Sequence, residues 1–267
     1  MSKLVPQSEA WTRGDGYEPF IGRWSRLVAR EFVKWLDVSA HKRWLDVGCG
    51  TGALTQTILD HANPSAVVGV DRSDGYVEYV REQLRDPRAS FHVADAQDLT
   101  KERGAYEVVV SGLVLTFVAK PERMIEEMAR ACRLNGQVAL YVWDYAGEMQ
   151  LLRHFWDACI ELDPAARELD EGVRFPLANA KNLWNLFLDA NLNDVTTRAI
   201  DVPTHFHDFD DYWVPFLSGQ GPAPGYAMSL SEEKRAALRE RIRAKLPFRR
   251  DGAIDLMARA WAVKGTR

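Results

Sequence analysis

The eight residues Leu45-Asp46-Val47-Gly48-Cys49-Gly50-Thr51-Gly52 set the tightest limit on the fold. An apolar run, Arg43 to Val47, passes straight into a loop with glycine at alternate positions, and a helical pattern over Ala53 to Asp60 follows at once. A strand that enters a helix through a glycine loop opens a doubly wound α/β sheet. The alternation continues downstream. Strands are expected at Ala66 to Asp71, Ser90 to Ala94, Tyr106 to Ser111 and Gln137 to Trp143. Helices are expected over Asp74 to Leu84 and Pro121 to Arg133, the latter begun by Pro121 and stopped by Asn135-Gly136. Five strands joined by helical crossovers make a mostly parallel sheet. Ahead of them Phe20, Trp24, Leu27, Val28, Phe32, Trp35 and Leu36 recur at three- and four-residue spacing, the mark of an amphipathic helix.

Beyond Asp144 the regularity loosens. Helices over Gly147 to Leu162 and Asn179 to Ala190, and strands over Val195 to Val202 and Ile254 to Val263, are expected. Between those strands an insertion over 203–250 reads as a helical lid, with a loop from Ser218 to Gly225 and a helix after Ser229, whose capping box pairs Ser229 with Glu232. The whole chain, 1–267, reads as a single domain with an N-terminal helical cap over 1–40.

Composition narrows the setting. A chain of 267 residues, 46% of them hydrophobic, can bury a large core without staples. Its three cysteines, Cys49, Cys132 and Cys159, form no C-x-x-C pair and suit a reducing cytoplasm. Met1 to Arg13 lack a signal-peptide core, and no apolar run reaches the roughly 18 residues that span a bilayer, so no membrane role is expected. A net charge of -4 argues against nucleic acid as the main partner.

The glycine loop alone is ambiguous, because Gly48, Gly50 and Ala53 also satisfy a loose dinucleotide pattern. Charge separates the readings. Asp46 precedes the first glycine, Asp71 ends the second strand and Asp95 follows the third, which brings three carboxylates to the edge where open α/β sheets bind ligands. A pyrophosphate would be repelled there, whereas a cofactor that has no phosphate and carries an ammonium and a sulfonium, as S-adenosylmethionine does, would be attracted. Asp71 can accept from both ribose hydroxyls, and Asp95 with the Ala96 amide can read an adenine edge.

Leu45 to Gly52, Gly69-Val70-Asp71-Arg72-Ser73, Val93-Ala94-Asp95-Ala96 and Ser111-Gly112-Leu113-Val114-Leu115 fall in the order and spacing of class I S-adenosylmethionine-dependent methyltransferases. The chain resembles that family over about Trp44 to Asp144, particularly its small-molecule branch. The resemblance implies a seven-stranded Rossmann-like sheet whose last strand, Ile254 to Val263, is antiparallel. It implies cofactor contacts from Asp46, Gly48, Cys49, Gly50, Asp71, Arg72, Asp95 and Ala96, and contacts to the methionine portion around Ser111 and Leu113. In the family the segment holding Tyr17, Arg23, Trp24 and Arg26 often folds over the cofactor, with an arginine, here Arg26, meeting its carboxylate. Ser111-Gly112-Leu113-Val114 differs from the Asp/Asn-Pro-Pro-Tyr motif of many amino-group enzymes. No Pro-Cys pair or catechol-type acidic metal cluster occurs either. A metal-free enzyme acting on a small molecule by in-line displacement is therefore expected.

No catalytic base stands out. Asp144, at the end of the fifth strand, and His205 and His207, within the dense run Phe206, Phe209, Tyr212, Trp213 and Phe216, are candidates. An ordinary loop carboxylate and a packed aromatic lid explain the same residues as well. Two other readings stay open: a non-catalytic S-adenosylmethionine-binding protein and a nucleotide-dependent oxidoreductase.

Overall fold

A computed structural model describes residues 21–99, 102, 104–219 and 221–267. Tyr17 and Phe20, with the first half of the 1–40 cap (1–20), lie outside the described residues. Seven strands form one sheet: β1 (Arg43–Val47), β2 (Ala66–Asp71), β3 (Ala89–Val93), β4 (Tyr106–Gly112), β5 (Cys132–Trp143), β6 (Asn193–Phe206) and β7 (Ile254–Thr266). Their order is β3-β2-β1-β4-β5-β7-β6. The strands β1 to β5 pair in parallel, and β7 runs antiparallel to β5 from Gln137↔Thr266 to Trp143↔Ala260. The order reverses at β1, so the ends of β1 and β4 form the switch point at which such sheets hold ligands.

The chain divides into two compact units. The sheet unit takes in 25–143, 177–200 and 260–267. Around its strands lie α1 (Arg23–Leu36), α2 (Ala53–His61), α3 (Asp74–Gln83), α4 (Pro121–Ala131) and α7 (Ala180–Asp189). Near-continuous burial of Trp44-Leu45-Asp46-Val47 and of Val108-Val109-Val110-Ser111 is what a strand covered on both faces requires. The apolar stripe of α1 buries Val28, Phe32 and Leu36, with the Phe32 ring 4.7 Å from that of Tyr141.

The other unit takes in 144–176 and 201–259 together with described residues up to Trp24. It contains α5 (Gln150–Leu162), α6 (Glu171–Arg174), α8 (Phe209–Trp213), α9 (Pro222–Ser229) and α10 (Glu232–Lys245). Its core is aromatic. Phe155 and Phe216 stack at 4.5 Å, Tyr212 lies 5.5 Å from Phe216, and the Tyr212 hydroxyl donates to the Leu151 carbonyl. The dense aromatic run therefore packs this core.

Several boundaries differ from expectation, each for a local reason. Strand β6 continues to Phe206, so the expected insertion starts at His207 and not at 203; Pro203 is tolerated because β6 is an edge strand. Asn135-Gly136 does not end a helix. The helix α4 stops at Ala131, and Cys132 already pairs with Tyr106; Asn135, at φ 59°, sits where the register shifts between Tyr106 and Val108. The Ser218 to Gly225 loop gives way to α9 at Pro222, which occupies the first turn as proline prefers. Ser231, not Ser229, caps α10 by accepting from the Lys234 amide, while the Ser229 hydroxyl donates to the Tyr226 carbonyl. Helix α5 begins at Gln150, because the Gly147 and Glu148 amides are drawn to Asp144.

Candidate functional site

The site grows from the junction of β1 and α2. Gly48 (φ 74°) and Gly50 (φ 49°) occupy the left-handed region. Their surroundings differ. A Cβ on Gly48 would stand 2.3 Å from Cγ2 of Val114, in the segment after β4, whereas a Cβ on Gly50 would meet nothing within 4 Å. Gly48 lets two loops approach, and Gly50 leaves open space above the turn.

Asp71 ties this turn to the end of β2. Its Oδ2 accepts from the Gly50 amide at 3.0 Å and its Oδ1 from the Ser73 amide at 2.9 Å. One carboxylate thus orders the glycine loop and the entry into α3, and each oxygen keeps a lone pair for a further donor. Ser73 caps α3 by accepting from the Tyr76 amide.

Asp46 lies beneath the loop, fully buried. Its Oδ2 accepts from the Thr55 hydroxyl at 2.7 Å, and its Oδ1 has no hydrogen-bond partner among the described residues. Burial, reinforced by the nearby Asp71 charge and opposed by the Thr55 hydrogen bond, pushes its carboxyl up to about 7. The Cys49 thiol is buried beside it and is pushed upward by the same desolvation and by both carboxylates, the setting of an inert thiol.

The remaining sequence candidates fall into two groups. Arg72 and Asp95 are exposed, and Asp95 Oδ1 accepts from the Gln97 amide at 2.8 Å, a tight turn that holds the Asp95-Ala96 backbone in place. Ser111 is buried and its hydroxyl donates to the Val47 carbonyl at 2.7 Å, which commits its side chain to joining β4 to β1. Leu113 turns the chain at φ 64° and is half-buried. These residues, like the glycine loop, belong to the sheet unit, as does Arg26, which is exposed on α1.

Asp144, His205 and His207 belong to the helical unit. Asp144 is a buried turn carboxylate that accepts from the Gly147 amide at 3.2 Å and the Glu148 amide at 3.0 Å. His205 and His207 take the outward parity of β6 and its extension, opposite to buried Val202, Thr204 and Phe206. His205 Nδ1 lies 2.7 Å from Asp255 Oδ1 on the exposed face. The two histidines therefore do not line the aromatic cluster, since neighbouring strand residues point to opposite sides.

One residue, Thr55, escaped the sequence reading. Thr55, nine residues after Asp46, is in the first turn of α2, a spacing that a strand–loop–helix reading could have flagged. Arg23, named in the sequence beside Arg26, is held on several sides. Its Nη1 donates to Asp211 at 2.9 Å, its guanidinium lies 4.5 Å from the Trp24 ring and 4.9 Å from that of Phe206, and its buried Nε and Nη2 have no hydrogen-bond partner among the described residues.

Comparison with known proteins agrees with this geometry. Residues 45–136 match the family described as a methyltransferase domain. The chain is 24% identical over 167 residues to malonyl-[acyl-carrier protein] O-methyltransferase of Acetivibrio thermocellus, covering 60% of this chain and 56% of that one. It thus spans about half the length of that curated relative. The YcgJ protein of Bacillus subtilis superposes with a TM-score of 0.60 at 15% identity, over 90% of this chain and 98% of the other. Phosphoethanolamine N-methyltransferase 2 of Haemonchus contortus, solved with S-adenosyl-L-methionine, gives 0.59 at 14% identity over 99% of this chain and 58% of the other. The chain is similar to class I S-adenosylmethionine-dependent methyltransferases in its fold and over a methyltransferase-domain segment, and that segment holds the glycine loop, Asp71 and the segment after β4. No helix among the described residues is long and apolar enough to cross a membrane.

Proposed function

We propose that the chain binds S-adenosylmethionine at the loop between β1 and α2 and transfers its methyl group to a small-molecule acceptor. One arrangement carries this reading: Asp46 and Asp71 bracket a glycine loop that has open space over Gly50 among the described residues, where one buried oxygen of Asp46 also lacks a hydrogen-bond partner. A phosphate-bearing dinucleotide would meet the charge of Asp71 there and make ionisation of Asp46 harder still, whereas a cationic adenosyl cofactor would be drawn in. The residues present fit such a group. Asp71 takes the ribose on the lone pairs left by Gly50 and Ser73, with Arg72 beside it. Asp95 and Ala96 take the adenine. Gly48, Cys49, Leu113 and the Ser111 backbone flank the methionine portion, and Arg26 is assigned to its carboxylate.

S-adenosylmethionine supplies an electrophilic methyl carbon when bound. The chain contributes position: holding the acceptor in line at about 3 to 3.5 Å yields much of the rate, and an acceptor that is already ionised or carries a lone pair needs no base. The relatives act on different atoms by their names, an oxygen in one and a nitrogen in the other, so a sheet of this kind serves either. A cytoplasmic setting without nucleic-acid or membrane partners belongs to the same proposal.

A non-catalytic binding role is the second reading, favoured by the engagement of Asp144 in a turn and the outward placement of His205 and His207. Production of S-adenosylhomocysteine across panels of phenols, carboxylates and amines separates the two. Turnover above the acceptor-free rate with one class is expected. Tight cofactor binding with no turnover in any class would favour the second reading.

A further inference from the structure

Asp46 combines features that a purely structural carboxylate lacks. It is the penultimate residue of β1, in register with Gly69 of β2 and Val110 of β4 and two residues before Gly48. No water-accessible surface remains on it, and among the described residues only one of its oxygens is satisfied, by Thr55 from α2. The groups that face it bring no positive charge: Asp71 at the end of β2, the neutral Cys49 thiol of the loop, the Thr55 hydroxyl of α2 and apolar Val110 of β4. A buried carboxylate in that company is cheaper as the neutral acid, and a cation placed beside it reverses the preference.

We propose that a cationic ligand entering the glycine loop binds with loss of the proton that Asp46 carries in the ligand-free protein, the proton passing to solvent. The inference rests on the cofactor reading above. Asp46 then acts as a positioning counter-ion whose ionisation is coupled to binding, and affinity rises with pH through the neutral range. The sign follows from linkage. Below the ligand-free pKa of Asp46, each unit of acidity protonates the acceptor of the cation and weakens binding about tenfold, until the bound-state pKa is passed. Above it, the residue is already ionised and the dependence vanishes. With that pKa at about 7, roughly nine-tenths of a proton is released per ligand at pH 6.

Calorimetric titration of the full chain with S-adenosylhomocysteine, whose ammonium carries the positive charge, tests the proposal. At pH 6 the apparent enthalpy, measured in buffers of different ionisation enthalpy, should reveal close to one proton released by the wild type and none attributable to the protein in Asp46→Asn. Thr55→Val keeps the carboxylate and removes the hydrogen bond that favours its ionised form, so the pH at which affinity levels off should move upward. This second variant keeps the test open if Asp46→Asn fails to fold. Tight wild-type binding without proton release, or the same release from Asp46→Asn, would overturn the coupling. Absence of any binding would instead overturn the cofactor reading on which it rests.

Discussion

Asp71→Ala is expected to weaken S-adenosylhomocysteine binding by more than 100-fold while the ligand-free protein stays folded. The carboxylate accepts the Gly50 and Ser73 amides, so its removal frees two backbone donors as well as deleting the expected ribose acceptor. A hydrogen bond to a charged group contributes about 1.5 to 3 kcal/mol, and about 1.4 kcal/mol is tenfold in affinity. Two ribose contacts and a disordered loop therefore exceed two orders of magnitude. The stability cost is smaller, because Asp71 is half-buried and the freed amides can turn to water. Calorimetry and thermal melting on the same preparation separate the two effects. Binding within threefold of wild type would remove Asp71 from the site.

The two glycines of the same loop should respond differently to the same change. Gly48→Ala places a methyl group 2.3 Å from Val114 at φ 74° and is expected to destabilise the ligand-free protein by about 2 to 4 kcal/mol, from overpacking plus left-handed strain. Gly50→Ala carries only the strain, roughly 1 to 2 kcal/mol, because nothing stands within 4 Å of its new methyl. That methyl occupies the open space assigned to the cofactor, so Gly50→Ala should melt several degrees above Gly48→Ala yet bind S-adenosylhomocysteine at least tenfold more weakly than wild type. Melting curves with and without ligand decide the matter; a Gly50→Ala protein with full affinity would place the ligand elsewhere.

How far the sequence carried depended on how local the signal was. The strands Arg43–Val47 and Ala66–Asp71 were legible to the residue, because each is a short apolar run ended by a carboxylate at the same edge. Asp71 was read as a ligand group, whereas its part as the anchor of the Gly50 amide was not legible, since that contact joins residues 21 apart through the fold. The unpartnered oxygen of Asp46 could not be read at all, because it depends on what packs around it. Placing the end of β6 at Val202 had a cost beyond four residues. It hid the alternation in which Val202, Thr204 and Phe206 turn inward and His205 turns out, and so made the histidines look like part of an aromatic wall. Pro203 prompted that error; on an edge strand a missing amide is tolerated. Asn135-Gly136 misled in a similar way, as turn residues serve a bulge as readily as a helix end.

The central claim is that the loop between β1 and α2 takes a phosphate-free, cationic adenosyl cofactor. Thermal melting of the full chain with increasing S-adenosylhomocysteine, run beside the same titration with NAD(H), tests it most directly. The melting temperature is expected to climb with the logarithm of S-adenosylhomocysteine concentration and not to move with NAD(H). Stabilisation by NAD(H) with none from S-adenosylhomocysteine would contradict it.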